Sequence, residues 1–277
     1  IILRLLGGRS YWSYGLEVLQ EIVAKTKVQL IILPGDDRPD PDLISHSTVS
    51  LSIVNQVWRY LTEGGVDNFT QALLLIGNYI FNKNYSIVPP VTIPKVGYYQ
   101  WNSNLKRENY IARVGIIFYR AHYLSGNLDP IDSLCQALVK YNLEPIPIFV
   151  SSLRDPEIQT EVLTYFKNKT PQLLINTTSF SISSISEDDS QPPLFSLDIP
   201  VLQVILSGGT LEQWQNNFMG LSPRDIAMNV ALPEVDGRII SRVISFKAVE
   251  NWNPTLETNV VRYVAVKNRI KLVAELA

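Results

Sequence analysis

The residues able to do chemistry in this sequence lie mostly where apolar runs end. His122 directly follows such a run, with Arg120 two residues before it. Histidine is the side chain best suited to moving a proton near pH 7, and a lone histidine is equally at home as a structural residue. Glu234 and Asp236 stand two apart in Leu232-Pro233-Glu234-Val235-Asp236-Gly237. Carboxylates so paired take protons from a substrate or guide a cation, and the same stretch also reads as a polar turn ended by Gly237. Asp36, Asp37, Asp40 and Asp42 crowd around Arg38, with His46 nearby. That density of oxygen donors suits a hard divalent cation, with Asp36 and Asp37 as its ligands. A Pro-rich loop of solvated carboxylates and helix caps accounts for it as well. Gly7-Gly8 and Gly208-Gly209 each follow an apolar run. They are either tight strand-to-helix turns or backbone N–H groups that meet a carboxylate or phosphate at a helix start.

Other chemistries are excluded. Cys135 is the one cysteine, so there is no intramolecular disulfide and no Cys-based zinc site. His46 and His122 are the only histidines, which removes a multi-His metal centre. Neither Gly-x-Gly-x-x-Gly nor Gly-x-x-x-x-Gly-Lys-Ser/Thr occurs, so dinucleotide and P-loop ATP binding are not expected of this chain. Lys plus Arg total 24 and Asp plus Glu total 26, a net charge of −2, against a nucleic-acid surface spread over the chain. No apolar run approaches the roughly 18 residues that span a membrane. The cysteine usage fits a reducing, cytoplasmic setting.

The 277 residues allow about two domains. Apolar residues, at 46%, suffice for a buried core; charged residues, at 18%, fall below the usual share of about 25%, which suggests surface covered within a larger assembly. Ile1–Leu6 and Val28–Leu33 read as strands around a helix over Tyr14–Lys25. Helices follow over Val49–Leu61 and Phe69–Phe81, then a Pro-rich connector over Ile87–Pro94. Alternation restarts with strands at Val114–Tyr119, Pro145–Val150, Gln172–Asn176, Pro200–Leu206 and Ile239–Phe246. Helices are expected over Ile131–Tyr141, Pro156–Lys167 and Leu211–Asn217. Ser181–Leu194, with Glu187-Asp188-Asp189, reads as a polar loop. The prolines of the 145–150 strand hint at an edge. Ser222 and Pro223 mark a helix start, with Asp225 at the reciprocal capping position. Helical spacing predicts a long last helix over Pro254–Leu276. The pattern is α/β: two Rossmann-like parallel-sheet units with flanking helices, plus a C-terminal helix. The expected bounds are 1–95 for a first, incomplete unit, 96–250 for the second and 251–277 for the helix. The start inside a strand pattern, without Met, reads as an excision from a longer protein.

Several of these segments together resemble the large subunit of class I chelatases, the family that comprises the CobN subunit of cobaltochelatase and the large subunit of magnesium chelatase. They are Leu5-Leu6-Gly7-Gly8 with Tyr11-Trp12 and Tyr14-Gly15, Leu33-Pro34-Gly35-Asp36-Asp37-Arg38-Pro39-Asp40-Pro41, and Phe118-Tyr119-Arg120-Ala121 with Ser125-Gly126-Asn127. Pro147 to Leu153, Val201-Leu202-Gln203-Val204 and the long run from Leu221 to Arg238 complete the set. Gly35-Asp36-Asp37-Arg38-Pro39 and Arg224-Asp225 look like the CobN branch, whereas Ala231 to Gly237 is shared with the magnesium branch. The resemblance implies a fragment from the N-terminal side of a much longer subunit.

It also implies a function: tetrapyrrole binding within an ATP-dependent enzyme that inserts Co2+ into a corrin ring in cobalamin biosynthesis, or Mg2+ into a porphyrin on the other branch. AAA+ ATPase subunits would use ATP-Mg as partners, and the fragment alone would be inactive. Metal insertion must remove pyrrole protons and desolvate a cation. His122, Glu234 and Asp236 are then candidates for proton or metal handling, and Arg120, Arg154, Arg224 and Arg238 for the macrocycle's carboxylates. Two rival readings are a scaffold or docking module of the same complex and an unrelated small-molecule-binding α/β protein.

Overall fold

The computed structural model describes residues 1–277 except 102–108, 168, 184–191, 217, 219 and 256. The chain divides into two compact units, Ile1–Ile93 and Pro94–Ala277.

In the first unit, β1 (Ile2–Leu5) and β2 (Ile31–Pro34) pair in parallel, with α1 (Ser13–Thr26) as the crossover. β2 is buried on both faces, which is what an unbroken Ile31-Ile32-Leu33 run needs. α2 (Pro41–Ile44) starts at Asp40, whose Oδ1 accepts from the Leu43 N–H at 3.0 Å. α3 (Leu51–Glu63) buries Val54, Val57 and Tyr60 at helical spacing, and α4 (Val66–Phe81) follows. The Pro-rich connector is tied down within this unit. Buried Asn68 of α4 donates to the Val91 carbonyl at 2.8 Å and accepts from the Val91 N–H at 2.9 Å.

The second unit carries a sheet of seven strands in the order β3-β5-β4-β6-β7-β8-β9. These are β3 (Val96–Tyr98), β4 (Ala112–Tyr119), β5 (Leu143–Val150), β6 (Leu173–Asn176), β7 (Val201–Thr210), β8 (Ile239–Asn253) and β9 (Thr258–Ala265). β4 to β8 are mutually parallel, and β3 and β9 close the two edges antiparallel. Taken in chain order, the parallel strands run 2-1-3-4-5, so the topological switch point lies between β4 and β6. Between strands come α5 (Arg120–Leu124), α6 (Asp129–Lys140), α7 (Pro156–Phe166) and α8 (Leu211–Asn216); α11 (Lys267–Leu276) ends the chain. Alternate residues of β4 fill two cores. Val114, Ile116 and Phe118 pack with Leu134, Leu138 and Val273 of α6 and α11, whereas Ile117 packs with Val162 and Phe166 of α7. Gly115 is required there: a Cβ would stand 2.7 Å from Leu174 Cδ1 and 2.9 Å from Phe166 Cζ.

Four expectations need correction. The helix predicted from Pro254 begins only at Lys267; Thr258–Ala265 is a strand. Its β-branched and aromatic residues, Val260, Val261, Tyr263 and Val264, favour a pleated surface, and pairing with β8 overrides their helix-like spacing. Gly208 and Gly209 are not a turn but the last extended part of β7. β5 is an interior strand, and its prolines mark an edge only over its first half. β3 covers just Ile148–Val150, and Tyr99 N–H reaches the Pro147 carbonyl beyond it. Pro145 and Pro147 thus place their missing N–H groups on the side that β3 leaves uncovered. The helix begun at Ser222 is α9 (Pro223–Ile226), but it widens into a π-helical turn over Ala227–Ala231 before α10 (Leu232–Glu234). Pro233 has no N–H to return to the preceding turn, and π turns of this kind are local features associated with functional sites. The predicted loop Ser181–Leu194 lies largely outside the described residues, with Glu187, Asp188 and Asp189 among those not described.

Phe118 is fully buried, with its ring edge-on to Tyr99 at 5.8 Å and to Phe149 at 6.4 Å. Phe118→Ala is expected to cost about 3–5 kcal/mol, measured by urea unfolding. A loss under about 1 kcal/mol would mean that this layer is not the core of the second unit.

Candidate functional site

In an open α/β sheet, ligands bind beyond the carboxyl ends of the parallel strands, at the switch point. Here that edge gathers Tyr119, Arg120 and His122 after β4, Thr177–Phe180 after β6, Ser207–Gly209 at the end of β7, and Lys247 of β8 in register with Tyr263 of β9. The π-helical segment packs onto it. Tyr119 OH and Ser179 bond reciprocally, OH to carbonyl at 3.3 Å and N–H to phenol oxygen at 3.0 Å. Ser179 Oγ donates to Asn229 Oδ1 at 2.7 Å, and Phe180 N–H to the Met228 carbonyl at 2.9 Å. Buried Asp225 accepts from Ser207 Oγ at 2.7 Å and from Gly208 N–H at 3.3 Å. The expected capping box is therefore half made. Ser222 Oγ does cap the Asp225 N–H at 3.1 Å, but the Asp225 carboxylate turns to β7 instead. A cavity of about 510 Å³ opens beside it, lined in part by Ser207, Thr210, Trp214, Ser222 and Asp225.

His122 sits on α5, its ring edge-to-face with Tyr263 at 5.0 Å and 79°. Burial lowers its pKa below the ordinary 6.5, so it is neutral at pH 7. Arg120 Nε donates to the Pro94 carbonyl at 2.9 Å. Arg224 is exposed and acts with Asp225 on the phenol of Tyr263. The N–H groups of Gly208 and Gly209 are spent on Asp225 and Ser207, so neither is offered to an anion.

The second motif folds differently from its neighbours. Asp236 and Arg238 form an ion pair at 2.7 Å with side chains 0% and 3% exposed. Asp236 also accepts from Ile182 N–H at 2.8 Å, Ser183 N–H at 3.0 Å and Ser183 Oγ at 2.7 Å. Arg238 Nη1 reaches Gln203 Oε1 at 2.9 Å, and Asn176 Nδ2 donates to the same oxygen at 2.8 Å. Gln203 and Asn176 both continue to the Thr178 carbonyl at 2.9 Å. A cavity of about 430 Å³ lies against this pair, its other walls mainly apolar, among them Leu174, Leu194, Ile199 and Ile239. Glu234, two residues away, is exposed.

The predicted residues are thus not one constellation. Asp236 meets Arg238, and His122 and Arg224 both bear on Tyr263. Arg154 is exposed after β5. Asp36 and Asp37 belong to the first unit, where Asp36 Oδ1 accepts from Arg38 N–H at 3.2 Å. Among the described residues no three His, Cys, Asp or Glu side chains converge as metal ligands. Sequence reasoning passed over Tyr263, Asn229, Ser207 and Tyr119. Tyr263 was hidden in a misread helix; the short spacing from Asp225 to Asn229 was visible but had no partner to give it meaning.

Because the folded-state pKa of His122 is depressed, the unfolded chain binds more protons as pH falls below about 6.5. Stability is therefore full above that pH and is lost as pH drops through the depressed value. His122→Gln should flatten the stability profile between about pH 7 and pH 5 in urea titrations, and an unchanged slope would contradict the burial. Asp236→Asn strands a buried guanidinium and should cost about 3–5 kcal/mol; a nearly neutral result would mean that the pair is dispensable.

The CobN/Magnesium Chelatase family model matches residues 58–277. The chain is 37% identical, over its full length, to "Aerobic cobaltochelatase subunit CobN" of Sinorhizobium sp, and 35% identical to the protein of that name from Pseudomonas aeruginosa. It spans 23% of the length of each. Against the large subunit of the magnesium chelatase of Rhodobacter capsulatus the identity is 27%, over 65% of this chain and 16% of that protein. Among solved structures, "Catalytic Subunit of Cobaltochelatase from Mycobacterium tuberculosis" superposes with a TM-score of 0.73 at 28% identity, covering all of this chain and 23% of that one. By sequence and by fold, this chain belongs to the CobN/magnesium chelatase family.

Proposed function

We propose that this chain is the tetrapyrrole-binding part of the large subunit of an ATP-dependent cobaltochelatase that inserts Co2+ into a corrin ring in the cytoplasm. The observation that supports the cobalt branch over Mg2+ and a porphyrin is the extent of likeness. The CobN proteins align with the whole chain at 35–37% identity, the magnesium chelatase protein with 65% of it at 27%. AAA+ partner subunits hydrolyse ATP, and the chain alone inserts no metal.

In this reading the carboxyl edge of the second sheet meets the macrocycle. Insertion releases pyrrole protons, and His122, held neutral by burial, is the acceptor. Arg120 and Arg224 face the substrate's acidic side chains, with Arg154 further along the same edge. Glu234, exposed beside the buried Asp236–Arg238 pair, is a second proton acceptor; Asp236 and Arg238 themselves hold the fold. Asp36 and Asp37 of the first unit bind the incoming cation only in company with donors from elsewhere in the complex, since their own loop supplies no closed ligand set.

Titration of the chain with a corrin, followed by the fluorescence of Trp12, Trp58, Trp101, Trp214 and Trp252, should quench saturably. No change at any concentration would favour a docking module that never meets substrate. In the complete enzyme, Glu234→Gln should lower metal insertion at least about tenfold with tetrapyrrole binding nearly kept, as positioned proton transfer is typically worth about 10²–10⁴-fold. Insertion at the parent rate would make Glu234 a turn residue.

A further inference from the structure

α5 is a single short turn that buries none of its residues, so it does not fix His122 by itself. The fixing comes from β9, the edge strand. Two of its N–H groups are spent on side chains of the turn after α5: Tyr263 N–H on Asn127 Oδ1 at 3.0 Å and Ala265 N–H on Asp129 Oδ2 at 2.8 Å. The Asn127 N–H in turn bonds the His122 carbonyl at 2.9 Å. This both covers the open edge and locks α5 to β9. The Tyr263 ring then stands edge-to-face with the imidazole at 5.0 Å, within the range where such pairs are attractive. Lys247 Nζ lies 5.7 Å from the centre of the same ring, a cation–π distance.

We propose that Tyr263 is the positioning residue for His122, holding the imidazole plane and keeping water from one side of it. The inference rests on reading His122 as the proton acceptor and adds the residue that makes that role possible. Charged groups stand around the pair from every neighbouring element: Arg120 on α5, Asp129 on α6, Arg224 and Asp225 on α9, and Lys247 on β8. Burial, rather than any of these charges, sets the direction of the His122 shift.

The test uses the 277-residue chain, whose two histidines give two imidazole signals by NMR, assigned with His46→Gln. In Tyr263→Leu the His122 signal should lose its ring-current shift and its titration midpoint should rise toward the ordinary value of about 6.5. Tyr263→Phe keeps the ring and should restore both. If Tyr263→Leu fails to fold, Asn127→Ala carries the test, since it frees α5 from β9 with both rings intact, and the midpoint should rise again. A His122 midpoint and shift unchanged in the folded Leu variant, or unchanged in Asn127→Ala when the Leu variant does not fold, would overturn the proposal. In the complete chelatase, Tyr263→Leu should lower kcat for metal insertion about tenfold with KM for the tetrapyrrole little changed; an equal change in KM alone would make Tyr263 a binding residue instead and overturn the positioning role. If His122→Gln inserts metal at the parent rate while the NMR signature behaves as described, the acceptor reading falls and the packing of Tyr263 on His122 stands.

Discussion

Arg238 carries a full charge into a place where 3% of its side chain meets solvent, and much of the second unit is arranged around that fact. A buried guanidinium persists only when its charge and its donors are matched. Asp236 matches the charge, and Gln203 takes a donor. Gln203 can do so from the interior of β7 because its own amide is held to the Thr178 carbonyl, and Asn176 of β6 backs the same oxygen. One ion pair thereby fixes the start of β8, the registers of β6 and β7, and the chain at Ile182–Ser183. The longest motif of the chain, ending Pro233-Glu234-Val235-Asp236-Gly237-Arg238, is in this light chiefly a structural device with one exposed carboxylate, Glu234, beside it.

The carboxyl edge of the sheet is organised on a second polar chain that runs through Tyr119, Ser179, Asn229, Asp225 and Ser207. The π-helical turn brings the backbone of Met228 and the side chain of Asn229 onto the loop after β6. The loops after β4, β6 and β7 are thus coupled through one short segment, and His122 and Tyr263 sit at its side. Rigid support around a neutral imidazole is what proton transfer requires, since the acceptor must be deprotonated and aimed before the substrate arrives.

The sequence alone determined a good deal. Alternating β-branched runs and amphipathic segments dictated an α/β chain, because burial on both faces of a strand and on one face of a helix leaves different periods. The caps at Asp40 and Ser222 were legible because their chemistry is local. Family membership was legible because the Leu221–Arg238 run and the Gly35–Pro39 loop are specific enough to survive without any coordinates.

Tertiary structure decided the rest, and for a common reason: a partner distant in sequence outweighed the local signal. β8 turned Thr258–Ala265 from a helical pattern into a strand. β7 took the Asp225 carboxylate from its cap, and Arg238 took Asp236 out of the pool of available bases. β3 ended early enough to tolerate Pro145 and Pro147 in an interior strand. Tyr263 met His122 only because the last strand came back to the segment that follows β4. Local spacing fixes which residues can do chemistry; long-range pairing, through burial and hydrogen bonding, decides which of them are left free to do it.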